Sequence, residues 1–198
     1  MKTSATVSSF SRRRFLQGAA TTAAAFSVVP SRVLGGAGRV APNSKTTLAA
    51  IGVGGQGLQN VQAFLQFPEV QVVAVCDVNR EGSGYISWNW EKGKAGNVAG
   101  REPARRLVDE HYAKDQRSGT YRGCRAYADF RELLAKEDVD AVMVATPDHT
   151  HAVIALAALR KHKHLYCEKP LAHTVRECRL LAEEARRAGV ATQLGNQG

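Results

Sequence analysis

A glycine-rich turn set between two regular segments constrains this chain more than any other feature. Residues 51–57 read IGVGGQG, which spaces Gly52, Gly54 and Gly57 as G-x-G-x-x-G. An apolar run, TTLAAIGV (46–53), precedes the turn, and LQNVQAFLQF (58–67) follows with apolar residues at helical spacing and stops at Pro68. That context is the one the spacing requires. The first glycine permits the tight turn, the second lets the backbone approach a pyrophosphate, and the third lets the helix pack closely on its strand. A helix beginning near Gly57 would aim its amino end at the phosphates. A second β-branched run, VQVVAVCDV (70–78), closes on Asp77, 20 residues beyond Gly57. A carboxylate there accepts hydrogen bonds from ribose hydroxyls and favours NAD, because it repels a 2′-phosphate. Arg80, three residues further on, would favour NADP, so NADP remains possible.

The rhythm continues. DFRELLAK (129–136), THAVIALAALRK (150–161) and TVRECRLLAEEARRAG (174–189) have helical periodicity. VDAVMVAT (139–146), KHLYC (163–167) and VATQLG (190–195) are short buried strands. Strands alternating with helices give a parallel sheet covered on both faces. The expected fold class is α/β, a Rossmann-type doubly wound parallel sheet. Residues 81–125 interrupt the pattern with a Gly-rich polar stretch holding Trp88 and Trp90, then the helical REPARRLVDEHYAKD. They are read as a surface insertion followed by the next crossover helix, the tryptophans anchoring a long loop or else capping the nucleotide cleft.

Charge and cysteine usage narrow the classes further. The formal net charge of +9 is concentrated at the amino end, since residues 1–40 carry six of the 27 basic side chains and none of the 18 acidic ones. The remainder is close to balance, so no nucleic-acid partner is expected. SRRRFLQGAATTAAAFSVVP (11–30) places Arg12, Arg13 and Arg14 before Phe15-Leu16 and a short alanine-rich run. A stable membrane span needs about 20 apolar residues, more than this run offers. A basic n-region, a short h-region and paired arginines resemble a twin-arginine export signal. The division is therefore 1–44 as leader and linker and 45–198 as the folded domain. The export machinery would be its first partner, and the periplasm or the outside of the cell its destination. Cys76, Cys124, Cys167 and Cys178 form no C-x-x-C pair. Zinc and redox motifs are unsupported, and Cys76 and Cys167 read as small buried hydrophobes.

Two further stretches sit at strand ends. VATPDHTHA places Thr146, Pro147, Asp148 and His149 just before a helix, a loop able to line a cofactor pocket, with Asp148 or Thr150 suited to cap that helix. His149 and His151 lack a third metal ligand at sensible spacing, so no metal is expected. HLYCEKPLAH (164–173) ends a strand on Glu168-Lys169-Pro170. Ligands of open parallel sheets bind beyond the carboxyl ends of the strands. A lysine at that rim can hydrogen-bond a substrate oxygen and stabilise charge developing on it. An exposed charge pair at a strand exit is the plainer alternative.

Together the nucleotide turn, ATPDHTHA, CEKPLA and GVATQLGNQG resemble the Gfo/Idh/MocA family over about residues 45–198, the 81–125 stretch least. The resemblance implies a two-domain oxidoreductase acting on sugars, polyols and related hydroxy compounds with a nicotinamide cofactor. It implies Lys169 as the catalytic lysine beside substrate and nicotinamide, and a cis peptide before Pro170. Gly52, Gly54, Gly55, Gln56, Gly57 and Asp77 would hold the cofactor, with Thr146, Pro147, His149 and Glu168 near its nicotinamide and ribose. The family's second, mixed α/β domain carries most of the substrate pocket and the acid/base histidine, and it has no counterpart before Gly198. The chain is therefore expected to be the cofactor half of an enzyme, or else a non-catalytic dinucleotide-binding or interaction module. Homo-oligomers are expected of a full-length form.

Overall fold

The computed structural model describes residues 40–85 and 97–196. The export-signal reading, Trp88 and Trp90 fall outside them. Six strands form one parallel sheet: β1 (Thr46–Ile51), β2 (Val70–Cys76), β5 (Arg125–Tyr127), β6 (Ala141–Val144), β7 (His164–Glu168) and β8 (Thr192–Gly195). Their order is β5-β2-β1-β6-β7-β8. Counted along the sheet strands alone, that is the 3-2-1-4-5-6 order of a doubly wound dinucleotide-binding fold, with its reversal between β1 and β6.

Both faces are covered because strand side chains alternate. Leu48, Ala50, Val72 and Met143 point to one face, where they meet Val61 from α1 (Gly55–Phe64), Leu65 at its C-cap, and Ala104 and Val108 from α2 (Arg101–Ala113). Ala49, Ile51, Val142 and Val144 point to the other. There they meet α3 (Phe130–Lys136), α4 (Asp148–Leu159) and α5 (Val175–Ala188) through Leu133, Ile154 and Leu181. A staple closes the lower end of the sheet. Asp140 Oδ2 accepts from both the backbone N–H and the hydroxyl of Thr47, each at 2.7 Å.

Several elements differ from the sequence expectation. The helix after the glycine turn starts at Gly55, not near Gly57, and ends at Phe64, four residues before Pro68. The 81–125 stretch has the expected crossover helix, but more than a loop precedes it. It contains an antiparallel hairpin, β3 (Gly82–Tyr85) with β4 (Asn97–Ala99), then α2, which packs on the main sheet. β5 went unread because three residues, Arg-Ala-Tyr, carry too little periodicity. Its place is held from outside by Glu137, a buried carboxylate bonded to Arg125 and Tyr127.

Cys76, Cys124 and Cys167 are buried free thiols. Burial pushes each thiol up to about 12, so they remain protonated and inert at neutral pH. Among the described residues no helix is long and apolar enough to cross a membrane.

Candidate functional site

The site begins with packing demands on three glycines. Gly52 has φ +81°, and a Cβ on it would stand 2.6 Å from the Thr146 backbone N. A Cβ on Gly57 would stand 1.8 Å from the Gly52 carbonyl O, so only glycine allows α1 to start this close to β1. Gly54 caps α1 without any side-chain hydrogen bond, which leaves the helix's first N–H groups facing outward. Asp77 then sets the shape of the turn. Its Oδ2 accepts from the Val53 N–H at 3.0 Å and its Oδ1 from the Asn79 N–H at 2.9 Å. A carboxylate oxygen has two lone pairs, so each retains capacity for a ribose hydroxyl.

Above the turn lies a cleft of about 680 Å³, within the range of small-molecule and cofactor sites. Of the residues expected from the sequence, it brings together Gly52, Gly54, Gly55, Asp77, Thr146, Pro147 and His149. Phe130 and Arg131, at the start of α3, also line it, as do Asn79 and Tyr85. The Thr146–His149 segment is partly helical, since α4 begins at Asp148. Neither Asp148 nor Thr150 is its N-cap. Pro147 occupies that position, because its extended backbone (φ −56°, ψ 141°) is the last before the helix, and no side chain caps it. Thr150 instead donates its hydroxyl to the Pro147 carbonyl at 2.7 Å, close to the Thr146 hydroxyl at 2.8 Å. Asp148 keeps a favourable place in the first turn, where its charge meets the positive end of the helix dipole.

Gln56, Gly57, Glu168 and Lys169 do not line this cleft. Gly57 is buried beneath it. Glu168 is only 4% exposed, and its Oε1 accepts from Asn60 Nδ2 at 2.7 Å and from the Tyr166 hydroxyl at 3.2 Å. Gln56 joins the same network, donating from Nε2 to Asn60 Oδ1 at 2.8 Å. Glu168 is therefore buried under α1, bonded to Asn60 and Tyr166, and lies outside the lining of this cleft. Lys169 is exposed and its N–H donates to the Gly195 carbonyl at 3.3 Å. The Lys169–Pro170 peptide is cis. β1, β6 and β7 are adjacent strands, so the glycine turn, the Thr146 segment and Lys169 leave one edge of the sheet side by side.

Sequence reasoning passed over four residues that hold this arrangement. His151 is buried (1% exposed) and places Nδ1 2.7 Å from the Pro170 carbonyl and Nε2 2.7 Å from the Thr146 carbonyl, tying two rim segments together. Asn60 carries Glu168. Arg101 donates from Nη1 to the Asp77 and Val78 carbonyls, both at 3.0 Å. Tyr85 lies against Gly54. Of these, His151 was weighed in the sequence only as a metal ligand, and Asn60 left a trace only as a polar residue one helical turn after Gly57.

The family model described as the oxidoreductase family with an NAD-binding Rossmann fold, GFO_IDH_MocA, matches residues 46–196. The chain belongs to that family. Its Gfo/Idh/MocA domain is an NAD-binding Rossmann domain, and the residues present fit the cofactor. The glycine turn, the outward N–H groups of α1 and the remaining lone pairs of Asp77 form a cradle for a dinucleotide.

Among curated relatives, a protein of Shewanella sp. (strain ANA-3) named glycosyl hydrolase family 109 protein 1 is 31% identical over 176 residues, 85% of this chain and 32% of that protein. The alpha-N-acetylgalactosaminidase of Shewanella oneidensis is 30% identical over 156 residues, 76% of this chain and 28% of that protein. The chain thus spans about a third of the length of these relatives. Among solved structures, an NAD binding oxidoreductase from Klebsiella pneumoniae aligns with TM-score 0.51 and 28% identity, covering 76% of this chain and 34% of that one. The scyllo-inositol dehydrogenase of Lactobacillus casei with NAD(H) and scyllo-inositol shares the fold, with TM-score 0.55 at 16% identity, covering 76% of this chain and 36% of that one.

Proposed function

We propose that this domain is the cofactor half of an exported oxidoreductase that moves a hydride between NAD and a hydroxyl-bearing carbon of a sugar or polyol. The carrying observation is the adjacency of β1, β6 and β7, which sets the glycine turn, the Thr146 segment and Lys169 on one rim. Bound NAD supplies the hydride acceptor. The chain's own residues do the rest: Gly54 and α1 receive the pyrophosphate, Asp77 holds the adenosine ribose, and Thr146, Pro147 and His149 line the approach to the nicotinamide. Lys169 donates a hydrogen bond to the reacting oxygen and stabilises its charge as the C–H bond breaks.

The glycosidase names of the relatives favour a second reading of the same site. Withdrawing a hydride from a sugar carbon leaves a carbonyl that acidifies the neighbouring C–H. Loss of that proton expels the glycosidic substituent as its alcohol, water adds across the double bond so formed, and return of the hydride with a proton restores the hydroxyl, with no net redox change. The two readings separate in one assay on the protein purified from its own source, supplied with NAD and either free sugars and polyols or N-acetylgalactosaminides. Stoichiometric NADH supports the dehydrogenase, whereas sugar release without NADH accumulation supports redox-neutral cleavage. A protein that binds NADH yet does neither is an interaction module. Lys169→Ala is expected to lower turnover by roughly 10²–10⁴-fold and leave NADH affinity unchanged. Export through the 1–44 leader is tested by replacing Arg13 and Arg14 with lysine, which should hold the protein in the cytoplasm.

A further inference from the structure

The glycine turn is not bare on its outer side. β3 ends at Tyr85, whose ring lies over Gly54: a Cβ on Gly54 would stand 2.6 Å from the ring Cε1 and 3.0 Å from Cδ1. The second glycine of such a turn is needed because a pyrophosphate closes on the backbone where a side chain would otherwise project. Tyr85 fills the volume that this glycine leaves open. The ring is also moored, since Asn79 Nδ2 donates to the Tyr85 hydroxyl at 2.6 Å while the Asn79 N–H donates to Asp77 Oδ1 at 2.9 Å. Gly54, Asp77, Asn79 and Tyr85 all face the same cleft.

We propose that Tyr85 gates the pyrophosphate position: its ring lies over Gly54, and a dinucleotide enters only when the Asn79–Tyr85 hydrogen bond breaks and the ring swings away. Asn79 is exposed, and the residue before Tyr85 is Gly84, with φ +94° and open space where its side chain would be. The gate deepens the cofactor reading and rests on it. Ring rotation is fast compared with binding, so a mostly closed gate reduces affinity and association rate by the open fraction alone. Dissociation is untouched, because the bound state already has the ring displaced.

Stopped-flow mixing of the 198-residue chain with NADH, with dissociation measured by dilution and folding checked by circular dichroism, tests this directly. Tyr85→Ala should raise the association rate roughly tenfold, with the dissociation rate unchanged. Tyr85→Phe keeps the ring and loses its mooring, so association should rise roughly fivefold, the worth of one net hydrogen bond. Asn79→Ala should speed association in the same way, and it keeps the test available if Tyr85→Ala does not fold. A folded Tyr85→Ala protein with unchanged or slower association, or faster dissociation, overturns the gate and makes Tyr85 an ordinary wall or contact of the cofactor. A wild-type chain that binds no NADH while Tyr85→Ala does supports the gate in its strongest form. Failure of both to bind overturns the cofactor reading, and the gate with it.

Discussion

Asn60 Nδ2 and Glu168 Oε1 are joined by a 2.7 Å hydrogen bond between two buried side chains 108 residues apart. It ties α1, the helix that opens on the glycine turn, to the end of β7, where Lys169 begins. The cofactor's cradle and the proposed catalytic lysine are thus braced against one another by a carboxylate that does not reach the cleft. Asn60→Ala removes one of the donors to a buried carboxylate, which costs about 2–3 kcal/mol. Urea unfolding of the variant should show that loss, and a stability within about 0.5 kcal/mol of wild type, the scale of ordinary surface changes, would mean the bond does little.

Gly57→Ala should be among the most damaging single methyl additions in the domain. Its Cβ would meet the Gly52 carbonyl O at 1.8 Å, backbone against backbone, with no flexible side chain to yield. Overpacking of this kind costs about 3 kcal/mol or more. A thermal melt reads the stability loss, and a parallel NADH titration should show weakened binding, because α1 cannot move outward without carrying its N–H groups off the pyrophosphate.

Asp77 serves the turn and the ribose at once, so its variants should separate the two. Asp77→Asn keeps an oxygen acceptor for either the Val53 or the Asn79 N–H and removes the charge that repels a 2′-phosphate. NADH affinity should fall about tenfold, roughly the worth of one charge-assisted hydrogen bond, while the preference for NADH over NADPH narrows. Titrations of both cofactors check this. An unchanged preference would mean that another group, such as Arg80, decides between them.

Acid stability should follow Glu137 and Asp140. Burial of Glu137 raises its carboxyl, but the hydrogen bonds from Arg125 and Tyr127 outweigh that and hold it below its ordinary value of 4.5. Asp140 is held below 3.8, chiefly by the Thr47 N–H and hydroxyl. A carboxyl depressed in the folded state contributes stability that is complete above its unfolded value and lost as pH falls through the folded one. The melting temperature should therefore be insensitive to these groups from pH 7 to about 5, then fall below about pH 4.5. Glu137→Gln should cost about 1 kcal/mol at pH 7, a modest figure because the Arg125 side chain is 61% exposed. Its deficit against wild type should shrink with acidification. A deficit that is constant with pH would assign the loss to packing.

Much of this site was legible along the chain. The spacing of Gly52, Gly54 and Gly57, the strand that closes on Asp77, and the strand ends at Thr146 and Glu168 are local patterns. Each follows from what a few neighbouring residues permit the backbone to do. The helix starts were harder to read, because Gly55 and Asp148 enter helices whose caps, Gly54 and Pro147, offer no side-chain acceptor to betray them.

Periodicity and turn chemistry, which depend only on residues close in sequence, determined the alternation of strands and helices, the Rossmann class and the phosphate-binding turn. The tertiary structure decided what depends on which strand lies beside which. It set the order β5-β2-β1-β6-β7-β8, the three-residue β5 held by Glu137, and the hairpin that lays Tyr85 on Gly54. It also turned Glu168 inward to Asn60 while the next residue, Lys169, stays exposed. Successive residues of a strand face opposite ways, and which way is inward is set by the helix packed above, a contact made across 108 residues of chain.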